Sequence, residues 1–344
     1  MAIAAPRVRS DAVPLRTFRS QGRPSAIAGL GIAAPEKVLT NRDLEKFVDT
    51  SDEWITERTG IKSRHIAEPG TTTFSLASAA ARGALENAGV GAEDLDMILV
   101  ATSSPDGPFP SVACRVQEQL GVPGACALDL LAACTGFVYA LSMADAYIAS
   151  GRADTVLVIG AEVLSRLIDW EDRGTCVIFA DGAGAAVVRP AQNGPGFRSW
   201  CLGSDGRGYD QVTCGNIPLG AYAAGDAEPK IGMKGPDVFK FATDIFIRQA
   251  FAVAEAAGTT MEEIDLWVPH QANRRIIEAS ARRVGLPMER VMVNIDHYGN
   301  TSTATIPLAL YDAVQQGRIE SGDQVLIAGF GSGLTWGACL LEWD

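Results

Sequence analysis

Short apolar, β-branched runs alternate with alanine-rich stretches along most of this chain. Met97–Val100 follows the stretch Phe74–Asn87, and Leu266–Val268 follows Phe239–Ala257. Continuous apolar runs of about four to eight residues fit buried strands, and longer stretches with apolar positions at helical spacing fit helices. The alternation predicts an α/β fold with largely buried sheets. A strand ending over Asp129–Ala133 leads into a helix over Thr135–Ser150, whose Phe137, Leu141, Ala144 and Ile148 share one stripe. A second apolar helix is expected over Ile306–Val314, and a strand over Asp265–Val268 that Pro269 keeps from continuing as a regular ladder.

The pattern recurs at one constant offset, the mark of an internal duplication. Ala88-Gly89 and Asp94-Leu95-Asp96 return 169 residues later as Ala257-Gly258 and Glu263-Ile264-Asp265. Val156–Gly160 returns at the same offset as Val325–Gly329, and Ala140-Leu141 as Ala309-Leu310. Two α/β halves, roughly residues 25–190 and 191–344, are therefore expected to pack about a pseudo-twofold axis. Under that offset Cys134 corresponds to Thr303, so the two equivalent turns would face each other at the junction.

Composition narrows the class of function. A formal charge of -12 disfavours nonspecific binding to nucleic acid or to an anionic membrane surface, so an anionic partner must meet a local basic patch. No uncharged apolar run is long enough to span a bilayer. Seven cysteines without CxxC or metal-ligand spacing argue against a disulfide framework or a metal site, and point to a reducing cytoplasm. Residues 1–24 hold five arginines, Asp11 and no glutamate. That matches the composition of a transit peptide, but a flexible or loosely docked extension is the plainer expectation.

Three reactive side chains interrupt apolar or small-residue runs: Cys134 in LLAACTGF, His270 in VPHQAN and Asn300 in HYGNTS. A thiol, an imidazole and an amide can together attack an acyl carbon and hold a negative oxygen. Cys134 falls on a strand-to-helix turn, where the helix N-terminus is expected to lower the thiol pKa. His270 falls at a strand's carboxyl end, where α/β folds place ligands. Each also has a plain structural reading: a core cysteine, a satisfied core histidine, a turn or cap asparagine. The run Gly329–Gly333 is rich in glycine but opens no helix of the phosphate-cradling type. Arg274, Arg275, Arg282 and Arg283 crowd one expected helix, with Lys234, Lys240 and Arg248 in the same half. They form either a solvated face or a docking patch.

Together these segments resemble the type III β-ketoacyl-acyl-carrier-protein synthases, the initiating condensing enzymes of fatty-acid synthesis. TSDEWITERTGI at 50–61, DRGT at 172–175, FADGAGAA at 179–186 and FGSGLTWG at 330–337 add to the three motifs above, in the right order over residues 25–344. The resemblance implies a thiolase-like fold of two duplicated halves with layered helices and two mixed sheets. It implies that Cys134 takes an acyl group from acyl-CoA, that His270 and Asn300 hold the enolate formed from malonyl-carrier protein, and that the amides of Cys134 and Ser332 form the oxyanion hole. It also places Thr50, Trp54, Arg58, Arg173 and Asn273 on coenzyme A, with Trp54 and Arg173 sandwiching the adenine. Lys240, Arg274, Arg275, Arg282 and Arg283 fall to the acyl-carrier protein, and Phe109, Leu164 and Ile178 to the acyl pocket, with Phe109 crossing the interface of a homodimer. No metal or other cofactor is implied, since acyl-CoA and malonyl-carrier protein are substrates.

Three rival readings compete with this one. A papain-like hydrolase shares the order Cys, His, Asn, but its cysteine lies near the mature N-terminus and its fold has no duplication. A relative recruited to polyketide priming, or to acyl transfer onto an alcohol or amine, would keep the same trio. A noncatalytic partner subunit would be expected to lose Cys134.

Overall fold

The computed structural model describes residues 13–215 and 230–344. Two five-stranded mixed sheets carry the fold. The first runs Ser25–Ala33, Asp181–Pro190, Val156–Val163, Met97–Ala101, Cys126–Leu130 in spatial order, the last three strands being parallel. The second runs Arg16–Arg19, Phe197–Ser204, Thr335–Glu342, Gln324–Gly331, Leu266–Pro269, the last two being parallel.

Alternation along the strands builds the layers. Val156 and Val158 face the central cluster that also holds Val325 and Ile327 of the other sheet. Leu157 and Ile159 face outward to the helix Thr73–Ala88, while Leu326 and Ala328 face outward to the helices Gly235–Ala257 and Arg274–Val284. Between the sheets lie two buried helices, Gly136–Ala149 and Thr305–Gln315, which share one core through Phe137, Leu141, Ile306 and Leu310. Element boundaries follow the 169-residue offset: the short 3-10 turn Ala133–Thr135 corresponds to Ser302–Ala304, and Gly136 to Thr305 as first residues of the central helices.

The helices start where capping permits. Thr72 caps the first long helix in a reciprocal capping box with Ser75, one residue earlier than the apolar pattern suggests. The helix expected from Thr135 begins at Gly136, and Cys134 sits in the separate turn before it. The glycine-rich run closes a hairpin between Gln324–Gly331 and Thr335–Glu342, so it cradles no phosphate at a helix start.

The expectation of a flexible N-terminal extension needs correction for its second half. Residues Arg16–Arg19 add an antiparallel strand to the edge of the second sheet, pairing with Phe197–Ser204. Downstream, Ser20 and Ser25 donate hydrogen bonds of 2.7 Å to the two oxygens of Asp145, and Trp200 Nε1 donates to the same carboxyl at 2.9 Å. Arg248 reaches back to the Val13 carbonyl. The extension pairs because an unfilled sheet edge offers free amides and carbonyls. Its first twelve residues lie outside the described part. Asp145 is buried on the central helix, and burial raises its pKa against the three donors that lower it. Asp145→Ala would strand those donors, and a loss of about 2–4 kcal/mol is expected in urea unfolding; a loss under about 0.5 kcal/mol would show that the cluster is not what ties the extension down.

Candidate active site

Both halves contribute to one deep pocket of about 710 Å³. Its floor is the pair of equivalent turns. Ala133 and Ser302, matched by the duplication, both adopt left-handed backbone conformations, with φ of 44° and 50°. These are rare for residues with a side chain and are held only by their surroundings. Glycine makes the close fit possible: a Cβ on Gly160 would lie 2.4 Å from the Thr303 carbonyl, and one on Gly331 would lie 2.9 Å from the Cys134 amide.

Cys134, His270 and Asn300 all line this pocket, as do Ser332 and the apolar Leu164 and Ile178. His270 is buried, packed edge-on against Phe330 at 5.4 Å, with Nδ1 2.6 Å from the Thr305 hydroxyl. Burial drives its pKa down to about 3, so the ring is neutral at physiological pH. Asn300 is fixed at three points. Its amide donates to the Ile178 carbonyl, its carbonyl accepts from Ala180, and its Oδ1 accepts from the Ser302 amide at 2.9 Å. With Oδ1 so engaged, the Nδ2 donors remain for a ligand.

The thiol departs from the sequence expectation. Burial pushes Cys134 up to about 11, Glu162 behind it acts in the same direction, and Ser302 opposes them. Cys134 is half-buried at the pocket floor, where the positive end of the helix Gly136–Ala149 opposes that rise.

The residues expected at the pocket mouth are partly brought together. Trp54, Arg58, Arg173 and Asn273 line it. The Arg58 and Arg173 guanidinium carbons lie 5.8 and 5.2 Å from the Trp54 ring centre. A planar base needs about 3.5–4 Å of clearance on each face, so sandwiching one requires Arg173 to leave Trp54 and its bond to the Asp49 carbonyl. Asn273 caps the helix Arg274–Val284, accepting from Arg275 and donating to the Arg58 carbonyl. Thr50 is not in the pocket lining, and its hydroxyl is buried with no hydrogen-bond partner. Phe109 is 83% exposed and outside its own chain's pocket.

Lys240 and Arg283 share a neighbouring groove, and Arg275, Arg282 and Arg283 are exposed. Arg274 differs, being paired to Glu278 at 2.7 Å. Sequence reasoning missed Thr305, Phe330 and Glu162. Thr305 and Phe330 lie within quoted or adjacent motifs, but nothing in their type signals contact with His270. Among the described residues no cluster of three metal-ligating side chains occurs, and no helix is long and apolar enough to cross a membrane.

The comparisons decide the family. A β-ketoacyl-[acyl-carrier-protein] synthase III from Rhodospirillum centenum is 50% identical over 327 residues, covering 93% of this chain and 99% of the relative. This chain belongs to the β-ketoacyl-[acyl-carrier-protein] synthase III family. Residues 128–206 match 3-oxoacyl-[acyl-carrier-protein (ACP)] synthase III, and 254–343 match its C-terminal part. The crystal structure of the Thermus thermophilus synthase III superposes with a TM-score of 0.88 at 48% identity, covering 93% of this chain and 99% of that one. The priming β-ketosynthase of the R1128 polyketide pathway gives a TM-score of 0.89 at 36% identity, covering 98% of this chain and 99% of that one. The thiolase-like fold and an acyl-transferring condensing activity follow, as the motifs implied.

A protonated resting thiol has a kinetic signature. Alkylation of Cys134 by iodoacetamide, followed by intact mass, should accelerate about tenfold per pH unit between about pH 7 and 9. A plateau already reached below about pH 7 would mean that the helix terminus outweighs burial.

Proposed function

We propose that this synthase performs the initiating condensation of fatty-acid synthesis, joining the acyl group of an acyl-CoA to malonyl-[acyl-carrier protein]. The observation that carries it is the convergence of Cys134, His270 and Asn300, from opposite halves, on one pocket with an apolar wall. In the first step Cys134 Sγ bonds to the acyl carbon, the bond to the coenzyme A sulfur breaks, and the thiol proton ends on that departing sulfur. The tetrahedral oxyanion is held by the amides of Cys134 and Ser332. In the second step the malonyl C–C bond breaks, carbon dioxide leaves, and the electron pair moves onto the thioester oxygen as an enolate. The enolate carbon then attacks the acyl carbon and Sγ leaves as thiolate.

Holding that enolate oxygen requires a proton on His270 Nε2. The Thr305 hydroxyl lies between His270 Nδ1 at 2.6 Å and the Ser302 carbonyl at 3.0 Å, and in this assignment its one proton turns to Nδ1, which leaves the ring proton on Nε2. Because the ring is neutral well above its lowered pKa, it acts as a hydrogen-bond donor, with Asn300 Nδ2 beside it.

Lys240, Arg275, Arg282 and Arg283 serve the acidic carrier protein in this reading, and Trp54, Arg58 and Arg173 serve coenzyme A. A homodimer is supported by the uncovered edge strand Cys126–Leu130 and by Leu131, 78% exposed beside it. Phe109 then reaches the acyl pocket of a second copy. All seven cysteines are free, which suits a reducing cytoplasm. The polyketide-priming alternative draws on the R1128 enzyme, whose match extends over 98% of this chain. Comparing malonyl-carrier proteins of fatty-acid and polyketide type as acceptors separates the two readings.

Single alanine variants test the assignment by half-reaction. Cys134→Ala should abolish acyl loading, read as intact mass after incubation with acyl-CoAs, and still decarboxylate malonyl-carrier protein. His270→Ala and Asn300→Ala should load and lose decarboxylation by about 100-fold or more. Full condensing activity in Cys134→Ala would end the proposal. Separately, Arg282→Glu with Arg283→Glu should raise the KM for malonyl-carrier protein about tenfold at low salt while leaving loading from acyl-CoA within about twofold. An equal effect on both substrates would remove the docking role.

A further inference from the structure

Glu162 is fully buried at the end of the strand Val156–Val163, and the chemistry above does not use it. Its carboxyl is gathered by four donor residues. The Ser103 amide and the Ser104 hydroxyl reach Oε2 at 3.0 and 2.5 Å, and the Thr102 hydroxyl lies 3.4 Å from it. The fourth, Thr303, comes from the opposite half, its hydroxyl shared between Oε1 at 3.2 Å and the Ala101 carbonyl at 3.1 Å. No ion pair involving Glu162 is formed among the described residues. A buried carboxyl without a cation is costly, so its environment must compensate through hydrogen bonds.

What Thr303 belongs to gives the carboxyl a role. The preceding residue, Ser302, is in the left-handed conformation, donates its amide to Asn300 Oδ1, and has its carbonyl 3.0 Å from Thr305 Oγ1. Thr305 in turn contacts His270 Nδ1. One strained turn thus orients both groups assigned to the enolate, and Glu162 grips that turn from the other half.

We propose that Glu162 is a positioning residue for decarboxylation: by accepting from Thr303 it fixes the turn 301–305, and with it the Asn300 amide and the Thr305 hydroxyl that orients His270. It touches none of the reacting atoms. Burial raises its pKa, and the hydroxyl and amide donors around it act in the opposite direction. The grip works through hydrogen bonding, so a neutral isostere should replace it.

The inference rests on the assignment of His270 and Asn300 to the enolate, and the test separates the two. Glu162→Ala, Glu162→Gln, Thr303→Val and the double variant Glu162→Ala with Thr303→Val are assayed for acyl loading and for decarboxylation of malonyl-carrier protein, with Asn300→Ala alongside. Glu162→Ala and Thr303→Val should each lower the decarboxylation kcat about 10- to 100-fold with KM within about twofold, and loading should stay within about threefold. Glu162→Gln should recover to within about threefold of the parent, and the double variant should be no worse than the poorer single one. Equal losses in both half-reactions, additive losses in the double variant, or no rescue by glutamine would overturn the proposal. Should Glu162→Ala fail to fold, Thr303→Val decides alone, since it deletes one hydroxyl and keeps the side-chain shape. If Asn300→Ala decarboxylates normally, the enolate assignment itself falls; if it is inactive while Thr303→Val is unimpaired, only the role of Glu162 falls.

Discussion

Everything at the pocket floor depends on two equivalent turns being pressed together across the junction of the halves. Ala133 precedes the nucleophile in one turn, Ser302 occupies the same place in the other, and both hold backbone angles that a side chain disfavours. Such strain of about 1–3 kcal/mol per residue survives only where packing over-determines it. Here the packing is supplied by the buried helix pair Gly136–Ala149 and Thr305–Gln315 and by strands whose glycines admit the opposing backbone. Duplication explains how one ancestral turn provides two tasks. At one copy the side chain following the strained residue is a thiol; at the other it is Thr303, bound to a buried carboxyl.

The chemistry follows from the same enclosure. Burial lowers the His270 pKa and raises that of Cys134, which favours the uncharged form of both and donors over charges. Fixed donors cost little reorganisation when a negative oxygen forms, and they strengthen where water is excluded. The mouth differs in kind, with the Arg58 and Arg173 guanidinium groups beside the Trp54 ring, and an exposed arginine helix stands outside the pocket on an otherwise acidic protein.

Much of this was legible in the sequence. Periodicity marks the central strands and helices because their burial is nearly complete, and the constant offset marks the duplication. Cys134, His270 and Asn300, which line one pocket, stand out in the sequence because each breaks an apolar run. The extension was misread because Arg16–Arg19 has every side chain exposed; its pairing uses backbone groups, which leave no side-chain pattern. Thr50 was carried into the coenzyme site by motif alone, and the pocket lining does not include it. At Cys134 the helix terminus is visible in sequence, whereas the burial that opposes it is not. Glu162 was invisible for a similar reason: its partners are small hydroxyl residues from segments 60 and 141 residues away.

The central claim is that one thioester oxygen is held jointly by two groups that the strained turn orients. A crystal structure of the acylated enzyme with a malonyl thioester analogue that cannot lose carbon dioxide tests it directly. The account predicts His270 Nε2 and Asn300 Nδ2 both within about 3.2 Å of the analogue's thioester oxygen, with the acyl carbon on Cys134 Sγ. An oxygen held by neither group, or Asn300 turned so that Oδ1 faces it, would contradict the account.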